Sequence, residues 1–266
     1  MAASFSFSRL GKLLTKQLFE NARLYTFSAL ALFGLLALVF AFLLAVGGPN
    51  YREEGMWLIF IFGLFISGSI FASMAFNMLD SKDKGVYWLS LPATHLEKLV
   101  CTIFFTTVLF TAVYCLCFFS IKSLSILFIE GMIKEKPYVS FTRLTDYEHG
   151  FGEVLPNFIY AYFAIQAFYL LGAVYFSRFT FVLTTVAGAL VIFAFGYFIT
   201  RIQNGMLEHN SWDFTALHQR RDDVKDGYLL YSVSPTISNM LKYLVQFAWA
   251  PLFWVVAWFR LKEKEI

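Results

Sequence analysis

Charge is what this sequence has least of. Its 266 residues include 21 lysines and arginines against 18 aspartates and glutamates, 15% in all, where soluble domains carry roughly 25%. That scarcity, with 59% apolar residues, excludes a water-soluble globule, because more apolar surface is present than one core of this size can hide. Basic tracts of five or more residues are also missing, and the net charge is only +3, so nucleic acid is not an expected partner. The three cysteines, Cys101, Cys115 and Cys117, fall within one apolar run and read as small hydrophobes rather than as a disulfide or metal framework. Catalytic signatures are absent too: there is no G-x-x-x-x-G-K-[ST], no H-E-x-x-H, no G-x-S-x-G and no C-x-x-C. His149, His209 and His218 follow no ligand spacing. An enzyme is therefore not expected, and neither is a metal or cofactor in this chain.

What the sequence has instead is long apolar runs. About 20 such residues cross a hydrocarbon core of about 30 Å as a helix, and six windows qualify: 24–46, 55–78, 99–121, 154–177, 179–200 and 237–259. Only the last carries a charge, Lys242 near its start, which can snorkel to the interface. An ion-coupled path lined by buried charges is therefore disfavoured. No alternation with a period of two runs through these windows, which argues against a β-barrel. The expected fold class is all-α: a single transmembrane domain over residues 1–266 with six transmembrane helices and no separate soluble domain. The distribution of lysine and arginine places both termini in the cytoplasm.

Residues 1–23 read as an amphipathic helix lying in the interface. Phe7, Leu10, Leu14 and Leu18 share one face, and Arg9, Lys12 and Lys16 share the opposite one, suited to anionic headgroups. Membrane lipids are thus expected partners. The apolar run that follows is too long for a secretory signal peptide and has no A-x-A cleavage pattern after it. The sizeable cytoplasmic loop is 80–98, where Thr94-His95-Leu96-Glu97 matches a capping box just after Pro92. Upstream, Tyr87, Trp88 and Leu91 read either as an aromatic belt or as anchors for a cytoplasmic protein. Gly63, Ser67, Gly68 and Ala72 in the second window, and Thr184 and Gly188 in the fifth, form four-residue steps of small side chains that let helices approach closely.

Taken together, the amphipathic helix at Phe5–Asn21, the six spans, the inner loop with its Leu91-Pro92-Ala93-Thr94-His95-Leu96-Glu97 stretch, the tight inner turn at Arg178 and the long outer segment before the last span resemble the ABC-2-type permeases, the membrane subunits of ABC exporters of the second type. The resemblance covers the whole chain. It implies an exporter subunit of the bacterial inner membrane that moves a hydrophobic or amphipathic substrate by alternating access. By the same resemblance, Tyr87, Trp88, Leu91, Pro92, Thr94 and Glu97 belong to a loop that docks on a separate cytoplasmic ATPase subunit, and that subunit, not this chain, binds ATP and Mg. The second and fifth spans would then line a path between two permease copies, in a homodimer or heterodimer. Two features depart from the family pattern: Met206–Tyr231 is polar where relatives often dip back into the outer leaflet, and the loop after the third span is longer. The alternative expectation is a structural membrane subunit that anchors a larger envelope complex and transports nothing.

Overall fold

In the computed structural model the described residues are 5–48, 50–77, 92–136, 138–143, 155–206, 211–212, 216–220, 228–232 and 235–263. The chain opens with helix α1 (Phe7–Glu20). Asn21, with φ −105° and ψ 12°, leaves helical geometry and caps α1 through its backbone N–H and its side-chain amide, which donates to the Gln17 carbonyl at 3.2 Å. Helix α2 (Ala22–Val46) begins immediately afterwards and ends at Gly47, followed by Gly48 at φ +66°. The expected amphipathic segment is thus a separate helix that ends three residues earlier than the sequence indicates.

A short strand β1 (Asn50–Arg52) leads into α3 (Glu53–Ser73). The next described stretch is one continuous helical rod built of α4 (His95–Ile103), a π-helical segment (Phe104–Leu109) and α5 (Phe110–Glu135). At 1.5 Å per residue its 41 residues reach about 60 Å, twice a hydrocarbon core. It therefore projects well beyond the apolar window 99–121. Buried threonines accompany the π segment, and their hydroxyls donate to preceding carbonyls: Thr102 to Lys98 and Thr106 to Thr102, both at 2.9 Å. Such back-bonding helps a helix depart from its regular ladder. Strand β2 (Ser140–Thr142) then pairs in parallel with β1, setting Tyr51 opposite Phe141.

Helices α6 (Leu155–Tyr175) and α7 (Thr180–Met206) form a tight hairpin. At its tip Phe179 is 80% exposed and holds φ at +51°, a left-handed conformation that costs a non-glycine residue of order 1–2 kcal/mol. Phe179→Gly is accordingly expected to raise resistance to unfolding in detergent by up to about 1 kcal/mol, since part of the relief is offset by the greater freedom of the unfolded chain. An unchanged or lowered midpoint would show that the turn is not strained. Beyond α7, β3 (Ser211–Trp212), β4 (Ala216–Arg220) and β5 (Tyr228–Ser232) make an antiparallel ribbon. The all-α expectation thus holds for the body of the chain, while its connections add two small sheets.

The last apolar window is not one helix. It is divided at Ala248 into α8 (Pro235–Phe247) and α9 (Trp249–Glu263). The cause is Pro251, which has no N–H for the Phe247 carbonyl and whose ring would crowd that carbonyl in a continuous helix. Among the described residues, five helices are long and apolar enough to cross a membrane: Ala22–Val46, Glu53–Ser73, His95–Glu135, Pro156–Tyr175 and Thr180–Phe198. The protein is a predominantly helical, multi-pass membrane protein.

Two apolar cores hold these helices together. One joins α2, α3 and α5 with the β1–β2 connection through Leu36, Phe40, Met56, Tyr114 and Phe118, with Tyr162 of α6 at its edge. The other gathers Leu99 of α4, Leu170 and Val174 of α6, and Ala257 and Leu261 of α9, at the end of the bundle where α4 begins.

Candidate functional site

The site begins with the residue that starts α4. Thr94 is extended (φ −69°, ψ 156°), and its hydroxyl accepts the Glu97 backbone N–H at 3.2 Å while Glu97 Oε2 accepts the Thr94 N–H at 2.8 Å. The capping box read from the sequence is therefore formed. Pro92 lies two residues upstream in a bend, where its fixed φ and lack of an N–H keep the helix from extending backwards.

Glu97 does more than cap its own helix. Its other oxygen, Oε1, accepts the backbone N–H of Ser6 at 2.7 Å and two donors of the Arg9 guanidinium, Nε at 3.2 Å and Nη2 at 3.0 Å. Ser6 is the residue that precedes α1, it makes no side-chain cap of its own, and the first turn of α1 holds no acid. One carboxylate thus serves the positive N-terminal ends of two helices that are about 90 residues apart in sequence. It is fully buried, whereas the Arg9 side chain keeps 37% of its exposure. Glu97 precedes the apolar run that starts at Leu99. Burial pushes its carboxyl up, but hydrogen bonds from Thr94, Ser6 and Arg9, together with the guanidinium charge, outweigh that and hold its pKa below the ordinary carboxylate value.

A second contact seats α1 against α4 one turn further along. Cys101 Sγ donates to Gln17 Oε1 at 3.1 Å, and Gln17 Nε2 lies 3.5 Å from the Tyr25 hydroxyl of α2. Tyr25 in turn stacks on Phe105 in the π segment, with ring centroids 5.5 Å apart. Since Leu99 sits in the core shared with α6 and α9, the start of α4 is mechanically tied to four other helices. The arrangement is a joint between helices, and among the described residues no group of three metal-ligating side chains occurs.

Of the residues expected in the loop, Pro92, Thr94 and Glu97 are in this joint, and Tyr87, Trp88 and Leu91 lie outside the described residues. Arg9, expected among lipid headgroups, is turned to Glu97 instead. The small residues of the second and fifth windows all meet neighbours within the chain. A side chain at Gly63 would overlap the Tyr114 hydroxyl, which donates to the Phe60 carbonyl at 3.0 Å, and one at Gly68 would overlap the Gln166 amide. Ser67 donates to the Gly63 carbonyl and Ala72 is fully buried. Thr184 packs on Gly172, and a Cβ at Gly188 would come within 2.9 Å of Phe168. Beyond these contacts, α7 has only 6% of its membrane window buried, against 33% for α3, so the fifth span presents most of its surface outward.

Sequence reasoning missed one feature altogether. Lys122 of α5 and Glu53 at the start of α3 form an ion pair of 2.5 Å whose side chains are only 10% and 15% exposed. The ammonium also lies 4.4 Å from the centroid of the Trp57 ring. The available signal was the absence of any glycine or proline between Leu99 and Gly131, which lets the helix continue through Lys122 and present it to its neighbours. No family model, curated protein or solved structure matches the chain.

Proposed function

We propose that this chain is the membrane-spanning permease subunit of an ABC exporter. It would work in the bacterial inner membrane with a separate cytoplasmic ATPase and a second permease copy. In this reading the broken α8–α9 segment is the sixth span, both termini are cytoplasmic, and the cargo is hydrophobic or amphipathic. Phe-rich walls without fixed charge suit such cargo better than ions.

The observation that carries the reading is the double use of Glu97. A pull on the segment leading into Thr94 reaches the third span along the capped helix and reaches α1 through the Ser6 and Arg9 contacts at the same carboxylate. A cytoplasmic motor that moves one loop would thereby shift the interfacial helix and the start of α4 together, and α6 and α9 through the core at Leu99. This is what alternating access requires: a small displacement at one end converted into a rigid-body shift of several helices.

Replacing Tyr87, Trp88 and Leu91 together with serine is expected to release the ATPase during purification while the permease stays inserted, because aromatic and leucine anchors carry most of an interface's energy. An ATPase that still copurifies in full would overturn the docking assignment. A wild-type chain from its native membrane that brings down an envelope assembly without any ATPase would support the structural-subunit alternative.

A further inference from the structure

A cavity of about 490 Å³ lies beneath the elbow between α1 and α2, closed on the other side by the end of α3, the start of α4 and the π segment. That volume falls in the range of small-molecule sites. Leu13, Phe71 and Phe105 give it an apolar wall, and Leu24 and Met74, each more than half exposed, flank it on the surface of the bundle. Leu24 belongs to a helix apolar enough to cross a membrane, so the cavity is reached from acyl chains. Its charges are already matched. Lys16 pairs with Glu20 at 3.6 Å, both have further partners, and the buried Lys98 has its own. What the lining still offers is uncharged. The Tyr25 hydroxyl accepts a long contact from Gln17 Nε2 at 3.5 Å, which leaves the phenol proton to be given. The hydroxyls of Thr102 and Thr106 donate to carbonyls of their own helix, which leaves their lone pairs able to accept.

We infer that this cavity is a binding site for one uncharged, single-chain amphiphile of the adjoining leaflet, with a hydroxyl-bearing headgroup at Tyr25, Thr102 and Thr106 and its chain along the wall of leucine and phenylalanine. A charged headgroup would give up its hydration to meet side chains that already have counter-charges. A bare hydrocarbon would enclose the Tyr25 hydroxyl without a partner for its proton. A soluble polyol would leave the apolar wall facing water. A neutral amphiphile matches both halves. The site stands whether or not the chain works with an ATPase, so its failure would leave the permease reading untouched.

The test uses the full chain in phosphatidylcholine nanodiscs, offered monooleoylglycerol, lysophosphatidylglycerol with the same oleoyl chain, or glycerol, with bound molecules counted by native mass spectrometry. One monooleoylglycerol is expected to be retained, favoured over the anionic lipid by about fivefold or more, since the phosphate loses water without gaining a counter-charge. Ser28 lines the cavity from an exposed position on α2, so Ser28→Trp should fill the space and abolish that retention. Tyr25→Phe keeps the ring that stacks on Phe105 but removes the hydroxyl. It should lower retention of monooleoylglycerol about threefold or more, and it decides the matter alone if Ser28→Trp does not fold. No retention by wild type, or equal retention by wild type and a folded Ser28→Trp, would overturn the site. Lysophosphatidylglycerol held as well as monooleoylglycerol would overturn the uncharged assignment. Unchanged retention in Tyr25→Phe would overturn the recognition of a hydroxyl headgroup. Glycerol bound without either amphiphile would overturn the assignment to a membrane ligand.

Discussion

Truncating Lys122 to alanine is expected to destabilise the protein by about 3–5 kcal/mol, because it leaves the Glu53 carboxylate buried without its counter-charge. Glu53 Oε1 receives the ammonium at 2.5 Å and a weaker contact from Trp57 Nε1 at 3.4 Å. With Lys122 removed, that oxygen keeps the long indole contact but loses the cation beside it. The ammonium also gives up its position over the Trp57 ring, worth about 0.5–2 kcal/mol in partly desolvated sites. The control is the double replacement Glu53→Leu with Lys122→Met, which removes both charges and keeps the volume. It should return to within about 1–2 kcal/mol of wild type, since apolar substitutes of similar size commonly match or exceed a buried pair. Part of the residual loss would come from removing an acid from the first turn of α3, where Glu54 remains. Denaturant unfolding in detergent, followed by tryptophan fluorescence, measures all three proteins. If the single and double variants lose the same amount, the pair is solvated and the premise of burial is wrong.

What could be read from the sequence divides along the same line as local and distant interactions. Apolar runs located the helices because the length needed to cross a bilayer is fixed by the helical rise. The Thr94–Glu97 box was legible because both partners lie within one helical turn. Lys122 was not. A search for charge-free windows stops at the first lysine, yet nothing at Lys122 stops a helix, and α5 runs on to Glu135. The division of the last apolar window was written in Pro251, a residue that composition and hydropathy pass over and that steric reasoning does not. The steps of small residues announced close approach without naming the neighbour, and only the packed chain shows Tyr114 against Gly63 and Gln166 against Gly68. Arg9 was the most misleading residue. Its place on the basic face of an amphipathic helix pointed to lipid, while its partner sits 88 residues further along the chain, a separation that no local pattern reports.

That partner supplies the prediction closest to function. Thr94→Ala removes one hydroxyl from one cap and should cost about 0.5–2 kcal/mol. Glu97→Ala removes the reciprocal cap of α4, the cap of α1 and the counter-charge of Arg9 together, so it is expected to cost more, about 2–4 kcal/mol, kept below the fully buried range because Arg9 is one-third exposed. Arg9→Ala separates the two roles. It leaves the Thr94 box and the Ser6 N–H contact in place but takes the guanidinium away from the buried Glu97 carboxylate, so some stability is lost as well. If the chain works with an ATPase as proposed, that subunit should still copurify while stimulation of ATP hydrolysis by amphipathic compounds falls. The pH dependence has a defined sign. A carboxyl held below its ordinary pKa in the folded state contributes stability that is present above the unfolded value, about 4.3, and is lost as pH falls through the lower folded value. Wild type should therefore lose more stability on acidification than Glu97→Gln, which has no carboxylate to protonate. Measuring unfolding midpoints of both proteins between pH 7 and pH 3 tests this directly. Parallel acid profiles for the two, together with Arg9→Ala behaving as wild type in ATP hydrolysis, would show that the carboxylate does not fasten the two helices.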